Sequence, residues 1–518
     1  MTMRSDISLM KPLAMLALAV TLSAGSCREK IPSSAAAMPG LPKITPNYVG
    51  IVIPPNIAPL NFVIHEPGRK YQARIYSIAG GTIEVFSTTG EIVIPPSRWR
   101  DLLAQNAGQE LYFDVCVKKE DGTWNRYQAI VNTIAKEKID PYLVYRCMTP
   151  SSYAGKRMRI CQRNIENFEE ADVFDTQSFV GGCVHCHSFI DHRSDQILIG
   201  VRSPSLPSVT LYGHDDRVDK IGTKFGYTAW HPSGKIVAYS VNDVRQFFHN
   251  VRTEIHDVVD LDSAIFYYDI KEARIKTVPA LADKKRLETY PAWTPDGKVL
   301  YFCSAPLLWT GAETFPPERY REVKYDLMRI RYDVETDSWG TLETVLSADD
   351  TGLSILLPRV SPDGRFLLFC MAEYGCFPIY QPTSDLYLMD LQTGVYRKAP
   401  INSEYAEAWH SWSSNSRWIV FSSKMAGGVF TRILISHIDT DGQPSKPFLL
   451  PQKSPLFYDS CYYVFNMPEL ITGSVSVDTK TLVRAILGST QIHVDSVTGA
   501  TPTSGSTEIE STGQARVQ

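Results

Sequence analysis

The sequence predicts a mainly β protein: a β-sandwich, a short cysteine-bearing segment, and a β-propeller. Three observations carry this. Short β-branched or aromatic runs fill 47–146, separated by Gly- and Asp-containing turns. Four later segments align with one another without gaps. The 26 tyrosines, within an aromatic content of 11%, suit pleated and half-buried surfaces. A chain of 518 residues with 44% hydrophobic and 21% charged content is globular and long enough for two or three domains. Its net charge of −4 gives no basic field, so nucleic acid is not an expected partner.

The first element is a targeting segment. "MKPLAMLALAVTLSAGSC", from Met10, has a positive residue, a short apolar run and small residues before Cys27. The run is too short to span a bilayer and reads as a signal peptide over 1–26. Ala24, Gly25 and Ser26 before Cys27 resemble a bacterial lipoprotein processing box, with Ala24 where that box usually has Leu. The resemblance implies lipidation of Cys27 and a lipid anchor in the membrane. Residues 27–46, rich in Pro, Ser and Ala, read as a tether.

The sandwich follows over 47–146. "APLNFVIHE", "YQARIYSI", "GTIEVFST", "ELYFDVCVKK" and "NRYQAIVNTI" are its strand candidates, with a spacing that suits an immunoglobulin-like sandwich. "PPSRWRDLLAQNAG" is predicted as a helix capped by Ser97 and closed by Gly108. Cys116 reads as a core residue.

The propeller is predicted over 191–475. Its aligned segments are "AWHPSGKIVAYS" from Ala229, "AWTPDGKVLYFC" from Ala292, "RVSPDGRFLLFC" from Arg359 and "SWSSNSRWIVFS" from Ser411. Each places a tight turn between two strands; in the first three Pro presets the turn and Gly supplies its positive φ, and in the fourth Ser416 replaces Gly after Asn415, which also tolerates that region. A strand ending in Asp follows each one: Asp269, Asp333, Asp390 and Asp439. That order is a four-stranded blade. "DQILIGVRSPSLPSVTLYG" and "SPLFYDSCYYVFNMPEL" supply further strands, giving an expected six blades. Cys303 and Cys370 stand where Ser240 and Ser422 stand in the other copies, and read as small packing residues. These copies resemble the TolB-type, WD-like propeller repeats of Gram-negative bacteria. Residues 476–518 are expected to be a flexible tail.

Between sandwich and propeller lies 147–190, in which "RICQRNIENFEEADVF" is predicted as a short amphipathic helix. It ends in "VGGCVHCHSFIDH", a Cys-x-x-Cys-His motif. Two thiols one helical turn apart can add to porphyrin vinyl groups, and the next residue offers its ring to iron. On this reading Cys183 and Cys186 carry one covalent haem c, and His187 is the proximal ligand. Met148, Met158 and His192 are the first candidates for the distal position; His214, His249 and His256 are others. Competing readings are a disulfide, or a zinc site on Cys161, Cys183, Cys186 and His185 or His187. His231, His410 and His437 lie in or beside blade strands, in different repeat columns.

"DPYLVYR", "QRNIENFEE", "GGCVHCHSF", "WHPSGKIVAYSVN", "HSWSSNSRWIVFSSK" and "KPFLLPQKSPLFYDS" occur in this order. Together they resemble bacterial TolB-like propeller lipoproteins with a cytochrome c-type motif. The resemblance spans nearly all of 47–475. It implies haem binding on a propeller scaffold in the envelope of a Gram-negative bacterium, on the periplasmic or outer-membrane side. The functional expectation is single-electron transfer, with the propeller docking a protein partner. The alternatives are a non-redox protein-binding scaffold and a carbohydrate-active propeller enzyme.

Overall fold

The computed structural model describes residues 35–496 except 150–156, 180, 204, 249–253, 255 and 310–313, and omits the side chains of His185, Cys186, Asp495 and Ser496. The expected signal peptide and Cys27 lie outside the described residues. Strand makes up 46% and helix 9%. The chain is mainly β, with an architecture of propeller type.

The N-terminal unit has two sheets, one of seven strands and one of three. Phe62 and Phe113 stack between them at 5.7 Å. Its boundary lies earlier than expected. Ala36–Ala37 pairs in parallel with Trp124–Arg126, and Ile44–Thr45 pairs with Phe62–Ile64. Residues 36–37 and 44–45 of the predicted tether are therefore sheet edge. The helix is Pro96–Gln105, capped by Pro95, so Ser97 lies inside it rather than at the cap. Its Trp99 is buried and donates Nε1–H to the carbonyl of Ile57.

The rest folds as six four-stranded antiparallel arrays, one of which gains a short fifth strand from Asp495–Ser496. Each contacts the next around a ring. The first array corrects the segment 147–190. Tyr142–Met148 pairs with Met158–Asn164, which pairs with Glu170–Asp175. The stretch read as an amphipathic helix is thus a hairpin, because Ile160, Val173 and Phe174 are needed in one sheet core. Val464–Ile471 pairs with the other edge of Tyr142–Met148 and closes the ring. The boundary at 146 therefore falls inside a strand. The second array opens with Cys183–Phe189, which pairs with Ile197–Arg202. The third begins at Thr228–Trp230, the fourth at Arg286–Trp293, the fifth at Ser354–Val360 and the sixth at Glu407–Trp412.

The predicted tail also changes in part. Thr479–Leu487 is a helix capped by Asp478, with Leu482 and Ile486 buried against the first two sheets. Cys303 and Cys370 are fully buried and occupy matching register positions, opposite Thr289 and Leu356. Sandwich and ring share one apolar core that includes Tyr48, Phe62, Trp418 and Phe465. Polar bonds cross the seam as well: Trp418 Nε1–H donates to the carbonyl of Glu137, and Asn61 Nδ2–H donates to that of Lys453.

Candidate functional site

The innermost strands share a feature that the turn-based alignment does not expose. Five of them carry a register shift, at 185/187, 289/292, 356/359, 408/411 and 466/469. An extra residue there bends a strand and re-aims its side chains. Tyr290, Leu357, Trp409 and Met467 sit at the shift with φ of 56°, 55°, 52° and 54°. This left-handed conformation is costly for a non-glycine residue and persists only where the surroundings impose it. Aligned on the shift, the inner strands read CHSF from Cys186, YPAW from Tyr290, LPRV from Leu357, WHSW from Trp409 and MPEL from Met467. His187 and His410 occupy one column.

That column faces a small cavity of about 20 Å³ between the inner strands, lined by residues including His187, Arg359, Trp409, Ser411 and Glu469. Four of these side chains carry a buried polar atom without a hydrogen-bond partner among the described residues: His187 Nε2, Trp409 Nε1, Ser411 Oγ and Glu469 Oε2. Glu469 lies 3.9 Å from the Arg359 guanidinium. Burial pushes the Glu469 carboxyl up to about 7, against the pull of Arg359. Burial, with Arg146 nearby, brings His187 down to about 3. The carbonyls of Val144 and Met467 favour its charged form, too weakly to offset burial. A cavity of this size with several polar partners holds about one water. It has no room for a sugar ring.

The haem expectation meets a different geometry. Cys183 and His187 lie four residues apart on one extended strand, roughly 13 Å at strand rise. The same spacing in a helix rises only about 6 Å. Gly182 has φ of 141°, and a Cβ there would lie 2.2 Å from the Arg202 carbonyl oxygen. The glycine pair thus leads the chain into a sheet. His187 is buried in a cavity far smaller than a porphyrin. The strand and cavity do not fit a covalent haem.

The other candidates are dispersed. Met148 and Met158 face each other across a strand pair, and Met158 Sδ lies 3.6 Å from Cys183 Sγ. His192 Nδ1 contacts the Leu470 carbonyl at 2.9 Å. His214 Nε2 pairs with Asp219 at 2.8 Å. His256 pairs with Glu254 at 2.8 Å and stacks on Tyr380. His249 lies outside the described residues. Among the described residues no three His, Cys, Asp or Glu side chains gather as a metal site. His231 contacts the Gly297 carbonyl, His410 that of Leu368, and His437 lies 3.4 Å from Glu137, so the three do not converge.

A larger cleft of about 540 Å³ opens at the seam of the two units. Glu91 and Val93 line it from the sandwich, Arg163, Phe168 and Glu170 from the first array of the ring, and Phe457 from the loop before the closing strand. Sequence reasoning missed it, because its walls come from three distant segments.

The ring of small antiparallel sheets defines a protein of propeller type. No protein-family model matches the chain, and no curated protein matches it. Among solved structures it is similar to a putative 6-phosphogluconolactonase from Bacteroides uniformis, with 11% identity and a TM-score of 0.34 over 77% of this chain and 99% of that one. An oligogalacturonate lyase in complex with manganese is similar at 12% identity and a TM-score of 0.29, over 74% and 97%. The Dos1 propeller is similar at 11% identity and 0.31, over 52% and 65%.

Proposed function

We propose that this chain is a haem-free binding protein of the cell envelope, anchored through Cys27 and built on a six-bladed propeller beside an immunoglobulin-like sandwich. Its protein partner is received at the seam cleft. The single observation that carries this reading is the contrast between two spaces. The ring interior narrows to about 20 Å³ at the motif histidine, while about 540 Å³ stands open where sandwich and ring meet. Binding sites favour such junctions, because both walls are rigid and each contributes different chemistry. Here the walls offer aromatic faces, Phe168 and Phe457, beside the carboxylates Glu91 and Glu170.

The test is an absorption spectrum of natively purified protein, with mass mapping of alkylated thiols. The expected result is no Soret band, and free thiols recovered at both Cys183 and Cys186 after denaturation and reduction. A Soret band that survives acid-acetone extraction, with a haem-sized mass gain on the 183–187 peptide, overturns the reading in favour of a c-type electron carrier. A photo-cross-linker at Val93 then tests the cleft against one at the exposed Val395. A discrete adduct is expected from Val93 alone; equal labelling from both, or none, rejects the cleft.

A further inference from the structure

The first array of the ring holds two thiols on facing strands. Cys147 pairs opposite Arg159, and Tyr145 opposite Cys161, so the two cysteines are diagonal neighbours on one face of the sheet. Both are buried, at 2% and 0% exposure. The two thiols are near neighbours, each the largest influence on the other's proton. Each also has a charged partner. Arg159 Nη2 donates to Cys147 Sγ at 3.4 Å, and Cys161 Sγ donates to Asp172 Oδ1 at 3.5 Å. Arg159 Nη1 closes the circuit onto Asp172 at 2.8 Å. Arg159 and Asp172 lie toward solvent, with side chains 19% and 32% exposed, and cover the thiols.

We infer that Cys147 and Cys161 form a redox-active dithiol, which a disulfide-bearing oxidant converts to a cross-strand disulfide. The charge arrangement divides the roles. A guanidinium beside a sulfur favours its thiolate, the nucleophilic form. A carboxylate beside a thiol accepts its proton. Cys147 thiolate attacks one sulfur of the oxidant, and the other sulfur leaves as a thiolate. Cys161 gives its proton to Asp172 and attacks the Cys147 sulfur of the mixed disulfide, expelling the second oxidant thiolate. The two protein thiols lose two electrons and two protons, and the oxidant disulfide becomes two thiols. This chemistry is independent of the proposed binding function. Cys303 and Cys370 are buried without a guanidinium beside the sulfur, and burial pushes both thiols up.

The experiment uses the full chain and oxidised glutathione as the probe. After incubation, free thiols are alkylated and peptides mapped by mass. The expected result is one cross-linked species joining the peptides of Cys147 and Cys161, two hydrogens lighter than the reduced pair. Arg159→Gln is expected to slow its formation about tenfold, as a rise of one unit in a thiol's pKa implies. Cys161→Ser is expected to stop at a mixed disulfide on Cys147. Free alkylation of both thiols in the wild-type chain, even at sub-denaturing urea, overturns the inference. So does a bridge from Cys147 to Cys461. Both readouts come from the unaltered chain and stand even if a variant fails to fold.

Discussion

Cys183–Phe189 and Glu407–Trp412 are two inner strands that place a histidine at the same bend. His410 is fully engaged. Its Nε2 lies 3.0 Å from the Leu368 carbonyl and so carries the proton, which leaves Nδ1 to accept from the Cys370 thiol at 3.7 Å. His187 is equally buried, yet its Nε2 faces the small cavity with no partner. One histidine ties two neighbouring blades together. The other presents a buried Nε2 without a hydrogen-bond partner among the described residues. The blade geometry therefore accounts for a histidine at 187 without any cofactor.

The largest expected effect separates these two roles. His410→Ala removes two buried hydrogen bonds and leaves a void, for a loss of about 3–4 kcal/mol. His187→Ala leaves a void without breaking a tie at Nε2 and should cost about 2 kcal/mol. Chemical denaturation at neutral pH measures both; equal losses would erase the distinction.

A second expectation concerns pH. Both histidines titrate at about 3 in the fold, held down chiefly by burial, against an ordinary value of 6.5. Between those values the unfolded chain binds protons that the folded chain refuses. Their contribution is whole above 6.5 and is lost as pH falls toward 3. Glu469 has the opposite sign. Its folded carboxyl keeps a proton to about 7, against 4.5 ordinarily, so its contribution is whole below 4.5 and is lost as pH rises through 7. Asp260, Glu288 and Glu407 act in the same direction as Glu469. Unfolding midpoints across this range should show His410→Gln flattening the acid limb, and Glu469→Gln flattening the neutral one. The smallest effect belongs to Ser411→Ala. Its hydroxyl has no protein partner, so stability should move by no more than about 0.5 kcal/mol.

The four aligned turns were legible because Pro and Gly set the backbone of three and Ser416, at φ of 61°, stands in for Gly in the fourth, and each opens onto a strand of the ring as expected. The other two arrays were not, for different reasons. After Phe189 the chain turns through Asp191 and His192, at φ of 46° and 57°, instead of a Pro-Asp-Gly turn. The alignment had no anchor there, so the column that CHSF shares with WHSW stayed hidden. The array around Tyr142–Met148 takes its inner strand from 464–471, and no local pattern announces a pairing across that distance. The Cys147–Cys161 pair was hidden for the same reason: a hairpin misread as a helix puts its cysteines in the wrong places.

The closing strand also sets an order of events during synthesis. Val464–Ile471 leaves the ribosome long after Tyr142–Met148, whose open edge has no mate until then. A nascent chain truncated before 464 keeps unpaired amides and carbonyls along that edge, the kind of surface on which strands of other molecules assemble. A stop codon late in this reading frame would thus yield a polypeptide with nearly all of its blades and a built-in seed for aggregation.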